Sequence, residues 1–130
     1  KMLKNFVHIA KKHLRTSDII IRYGGEEFMI ILPAINTKKA KDILNKIRED
    51  IADFVLNLDE NKISTTISIG MIEIYPENGN NSYFKNFENT ISLVDKKLYE
   101  AKNSGRNTIC WYLFIPNLVL AKISIFYYGE

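Results

Sequence analysis

Residues 18–33 read Asp18-Ile19-Ile20-Ile21-Arg22-Tyr23-Gly24-Gly25-Glu26-Glu27-Phe28-Met29-Ile30-Ile31-Leu32-Pro33. Two runs of β-branched and apolar residues flank a Gly-Gly dipeptide. Such turns need positive φ, which glycine supplies at least cost, so the stretch predicts a β-hairpin. Pro33 donates no backbone hydrogen bond and closes the second strand. The tip of this hairpin carries two adjacent carboxylates, Glu26 and Glu27.

Outward from the hairpin the hydrophobic period changes. Leu3, Phe6, Val7, Ala10 and Leu14 recur at helical spacing before it. After it, Asn36 or Thr37 is a candidate cap, and Ala40, Ile43, Leu44, Ile47, Ile51 and Phe54 predict a helix to about residue 56. Asp59-Glu60-Asn61 reads as a polar loop. Residues 63–75 read as a strand, in which Ile67 and Ile69 alternate with Thr66 and Ser68. Pro76 to Ser82 is turn-rich. Phe87, Ile91, Val94, Leu98 and Ala101 predict a helix over about 84–103 with Gly105 as its C-cap. A last strand begins near Asn107. This order predicts an α/β sandwich with helices packed on a sheet.

The whole chain has 130 residues, 46% hydrophobic and 25% charged, which suits one globular domain. Its formal charge of +3 is too small to point to a nucleic acid polymer. The single cysteine, Cys110, excludes an internal disulfide and suits a reducing cytoplasm. Residues 111–130 are strongly apolar, but Pro116, Asn117 and Lys122 interrupt them. An extra strand pair therefore suits this tail better than a membrane span.

Arg22-Tyr23-Gly24-Gly25-Glu26-Glu27-Phe28 resembles the signature of the GGDEF family, in its GGEEF form. Two further stretches match it at family-like positions. They are Thr66-Ile67-Ser68-Ile69-Gly70 and Leu98-Tyr99-Glu100-Ala101-Lys102-Asn103-Ser104-Gly105-Arg106-Asn107. Arg15-Thr16-Ser17-Asp18 is similar to an RxxD pattern found just upstream of the signature. The resemblance covers about residues 1–110 and leaves 111–130 as an unassigned tail. It implies an antiparallel-containing central sheet flanked by helices, the palm-like fold of nucleotide cyclases. It also implies a diguanylate cyclase, which condenses two GTP molecules into cyclic di-GMP in a homodimer.

The roles that the resemblance implies fall on named residues. Gly24 and Gly25 receive the nucleotide. Glu26 binds Mg²⁺ or Mn²⁺ and helps activate the attacking 3′-hydroxyl, with Glu27 beside it as a metal or ribose contact. Lys102 and Arg106 hold the triphosphate. Arg15 and Asp18 bind cyclic di-GMP as an inhibitor. Each has a plainer alternative: solvated charges on a hairpin, cations favourable to a helix end, and a helix-end ion pair worth under about 1 kcal/mol. A further alternative is a domain that binds these nucleotides without turnover.

Members of the family begin with a strand and an acidic segment like Asp-x-Asp-x-Phe-Lys-x-x-Asn-Asp. No such segment precedes the first helix here. The expectation is a truncated domain, lacking its first strand and the partner aspartate of its metal site. That strand belongs in the middle of the sheet, and the apolar tail is a candidate to fill the gap. Any membrane attachment would come through an upstream domain. His8, His13, Cys110, Trp111 and the Tyr127-Tyr128 pair read as packing or surface residues, and Asp95 with Lys96-Lys97 as a solvated face.

Overall fold

The computed structural model describes residues 2–74, 87–112 and 118–129. Its elements in chain order are α1 (Met2–His13), β1 (Ile19–Gly24), β2 (Glu27–Pro33), α2 (Thr37–Asp53), β3 (Val55–Leu58), β4 (Asn61–Ile74), α3 (Phe87–Asn103), β5 (Ile109–Tyr112) and β6 (Leu118–Gly129). The strands form one sheet in the order β1-β2-β6-β4-β3, antiparallel throughout. β5 joins it in parallel alongside β4. The fold is therefore mixed α/β, as the order of elements predicts, with the largely antiparallel sheet that the resemblance implies.

Period-two alternation divides the sheet's residues between two faces. Phe28, Ile30 and Leu32 of β2, Ile67, Ile69 and Met71 of β4, and Ala121, Ile123 and Ile125 of β6 meet α1 and α2 in one core. α1 contributes Phe6, Ile9 and Ala10, and α2 contributes Ala40, Leu44, Ile47 and Ile51. Asn36 caps α2, its side-chain oxygen accepting from the Lys39 amide at 2.8 Å. The opposite face carries a smaller cluster of Met29, Ile72, Val94 and Leu120 beneath α3. Gly70 lets α3 lie directly on β4: a Cβ there would stand 2.3 Å from the Leu98 nitrogen and 2.6 Å from the Val94 oxygen.

Three expectations differ from what is observed. α2 ends at Asp53, because Phe54 turns to extended backbone at φ −81° and ψ 128°. Residues 55–58 form β3, and Asp59-Glu60 is the turn of a β3–β4 hairpin. Among the described residues, the two strands that draw on the tail, β5 and β6, do not pair with each other. β5 and β6 lie on opposite sides of β4, and β6 sits at the centre of the sheet, paired with both β2 and β4. The central slot that the resemblance assigns to another strand is thus held by β6. The expected loop at Pro76–Ser82 and the start of the third helix before Phe87 lie outside the described residues, as do the Tyr127 and Tyr128 side chains. No helix among the described residues is long and apolar enough to cross a membrane.

Candidate nucleotide site

The β1–β2 turn is built by Gly24 and Gly25, with φ 158° and 52°. The second value lies in the left-handed region, where a side chain is strained. Arg22 fixes the turn by donating from Nε and Nη2 to the Gly25 carbonyl at 3.2 and 2.8 Å. A Cβ placed on either glycine would meet no atom within 4 Å. The space above the turn is open, and the glycines serve backbone shape and access.

Neighbouring strand residues face opposite ways, and the two glutamates diverge accordingly. Glu26 is exposed at the turn, and its carbonyl accepts from the Ile125 amide of β6 at 3.2 Å. Glu27 points to the α3 side and is half-buried. There Lys102, in the last turn of α3, brings its ammonium to 3.7 Å from Glu27. The hairpin and the end of α3, about 75 residues apart in sequence, thus meet at one place.

A second lysine arrives from β6. Lys122 Nζ stands 3.5 Å from Glu27, hydrogen-bonds Asp95 of α3, and lies 4.2 Å from the Tyr23 ring centroid. Its side chain is only 7% exposed. Burial alone would lower its pKa, but the Asp95 hydrogen bond and the Glu27 charge outweigh that and hold the group above its ordinary value. Asp95, read from sequence as part of a solvated face, is therefore an ion-pair partner. Ser68 Oγ, fully buried on the same face, has no hydrogen-bond partner among the described residues.

The chain after α3 is held in an uncommon shape. Gly105, Arg106 and Asn107 all have positive φ, at 102°, 63° and 47°. The Arg106 amide closes the helix on the Ala101 carbonyl at 3.1 Å. Arg48 of α2 clamps Asn107, donating to its Oδ1 at 2.9 Å. Arg106 then lies over the Phe126 ring of β6, 4.4 Å from its centroid. Lys122, Ser124 and Phe126 alternate along one face of β6, so each step between them is about 7 Å. Sequence reasoning did not assign Lys122, Asp95, Arg48 or Phe126 to the site. A lysine inside an apolar run was the signal for the first, because a buried ammonium needs a carboxylate.

Mg²⁺ needs near-octahedral oxygen ligation. Among the described residues no three His, Cys, Asp or Glu side chains converge, and Glu27 already faces two ammonium groups. This donor set, as arranged, does not fit a protein-held divalent cation.

Arg15 and Asp18 lie elsewhere. Asp18 accepts from the Arg15 amide at 2.7 Å and from its guanidinium at 2.7–3.1 Å. The Asp18 side chain has no exposed surface, whereas Arg15 is 39% exposed. The Asp18 hydrogen bond pushes the guanidinium pKa further up. Arg15 borders a cleft of about 620 Å³ that Lys39, Asp42, Lys46 and Asn36 also line. His13 bonds Asp50 at 2.6 Å, joining α1 to α2, and Lys41 lies 3.5 Å from the Trp111 ring centroid.

The family described as "Diguanylate cyclase, GGDEF domain" matches residues 1–108. Over 111 residues the chain is 36% identical to the probable diguanylate cyclase DgcT of Escherichia coli, covering 84% of the chain and 23% of that protein. It is 34% identical to diguanylate cyclase A of Treponema denticola, covering 83% of the chain and 28% of that protein. The chain spans about a quarter of the length of these relatives. Among solved structures, diguanylate cyclase SiaD of Pseudomonas aeruginosa, in complex with its activator SiaC, superposes with a TM-score of 0.74 at 25% identity. That match covers 85% of this chain and 40% of SiaD's. The family match takes in both the glycine turn and the Lys102–Arg106 stretch that the fold brings beside it, and on that ground the chain belongs to the diguanylate cyclase GGDEF domain family.

Proposed function

We propose that this chain is the nucleotide-handling domain of a diguanylate cyclase. Two GTP molecules, one on each of two facing copies, would condense to cyclic di-GMP. Each 3′-oxygen forms a bond to the α-phosphorus of the other nucleotide, and each pyrophosphate leaves. The meeting of Lys102 with Glu27 beside an unobstructed glycine turn supports this reading most directly. Gly24 and Gly25 admit the nucleotide backbone, Lys102 and Arg106 take the triphosphate, and Glu26 receives the 3′-hydroxyl proton. Chemistry of this kind depends on positioning and charge neutralisation more than on covalent help.

Incubation with GTP and Mg²⁺ is expected to yield cyclic di-GMP and pyrophosphate. Glu26→Gln should lower the rate at least about 100-fold, the ordinary loss for a general base. Absence of cyclic product in the parent chain would overturn synthesis.

The Arg15 cleft favours a second reading, in which cyclic di-GMP binds there as regulator or sole ligand. The guanidinium gives Nε and Nη2 to Asp18 and the Pro33 carbonyl, which leaves Nη1 as the donor toward a phosphate or guanine edge, with Lys39 and Lys46 alongside. Asp18, fully covered, orients Arg15. Calorimetry should show product binding lost in Arg15→Ala. If that occurs without any turnover of GTP, the chain is a sensor.

A further inference from the structure

Lys122 lies beyond the residues that the family match covers, yet its ammonium reaches the centre of the site. Its backbone is fixed on both sides, opposite Met29 of β2 and Gly70 of β4. With a side chain 7% exposed, the charge has little water to stabilise it. Instead it has Glu27 at 3.5 Å, a hydrogen bond to Asp95, and the face of Tyr23 at 4.2 Å. Lys102 approaches Glu27 as a second cation, at 3.7 Å. Two ammonium groups and two carboxylates leave this cluster without net charge. A divalent ion entering it would meet like charge at short range and carboxylates already engaged.

We infer that the Lys122 ammonium is the resident cation of this carboxylate pair and keeps divalent metal out of it. Glu27 and Asp95 are positioned by the lysine of β6, and the pocket without nucleotide takes no Mg²⁺ or Mn²⁺ between them. The inference concerns the nucleotide-free chain and does not depend on turnover.

The test uses Mn²⁺ alone as probe, read by its paramagnetic broadening of backbone amide signals. In the parent chain, millimolar Mn²⁺ should leave the amides of Glu27, Asp95 and Lys122 unbroadened. Lys122→Met, similar in volume and uncharged, should open the pair, giving broadening centred on Glu27 and at least a tenfold gain in Mn²⁺ affinity. Adding Glu27→Gln to it should abolish that gain, and Lys122→Arg should keep the ion out. Sub-millimolar broadening at Glu27 in the parent chain would overturn the inference, and this arm needs no variant to fold. Lys122→Met that folds, by its amide spectrum, but gains no Mn²⁺ binding would overturn it equally.

Discussion

Deleting residues 118–129 should abolish the cooperative unfolding transition. β6 is hydrogen-bonded to β2 along Glu27–Pro33 and to β4 along Ile63–Ile74. Its removal breaks two ladders and leaves two new edges in the middle of the sheet. It also takes Val119, Leu120, Ala121, Ile123 and Ile125 out of both cores, each 5% exposed or less. Truncating one buried Leu or Ile to Ala costs about 2–5 kcal/mol. Losing three such side chains together matches the whole stability of an ordinary domain, about 5–15 kcal/mol. Thermal melting followed by circular dichroism should show a broad, non-cooperative change, with dye binding to exposed apolar surface. An unchanged melting temperature would mean that β6 is not the central strand.

Among the glycines described, Gly70→Ala is expected to be the most damaging for packing. The new methyl would stand 2.3 Å from the Leu98 nitrogen, 2.6 Å from the Val94 oxygen and 2.8 Å from the Leu98 Cα. All three atoms are backbone, so no rotamer change relieves the clash and α3 must lift. Overpacking of a core ordinarily costs about 1–3 kcal/mol, and a collision with helix backbone belongs at or above the upper figure. For a domain of this size that is a fall of roughly 10 °C in melting temperature. Because α3 carries Asp95 and Lys102, GTP affinity should fall with stability. Ile69→Val, one residue away on the other face, should cost only about 0.5–1.5 kcal/mol and leave binding intact. Equal effects of the two variants would contradict the close approach of α3 to β4.

The parts of the fold legible in sequence are those where local chemistry and the final environment agree. The Gly24-Gly25 turn needs positive φ wherever it sits, and Ala40, Leu44, Ile47 and Ile51 mark a buried helix face without reference to their partner. β3 was hidden because Phe54 continues the apolar period of α2 and no glycine or proline marks the stop. The place of β6 was hidden more deeply. A doubly buried strand reads as a plain apolar run, and nothing local says which two strands it separates. Lys122 looked like an interruption of that run, and Asp95 like one charge on a helix surface. Only the crossing of β6 beneath α3 makes them partners. The approach of Lys102 to the glycine turn was expected through family resemblance, since no local rule places the end of one helix beside a distant hairpin.

An amide spectrum titrated with GTP in the absence of divalent ion addresses the nucleotide site most directly. Shifts should concentrate at Gly24, Gly25, Lys102 and Arg106, and weaken at least about tenfold in Lys102→Ala, as suits loss of one charge-assisted phosphate contact. Shifts confined to the cleft around Arg15, or none at millimolar GTP, would contradict a phosphate site at the meeting of the hairpin and α3.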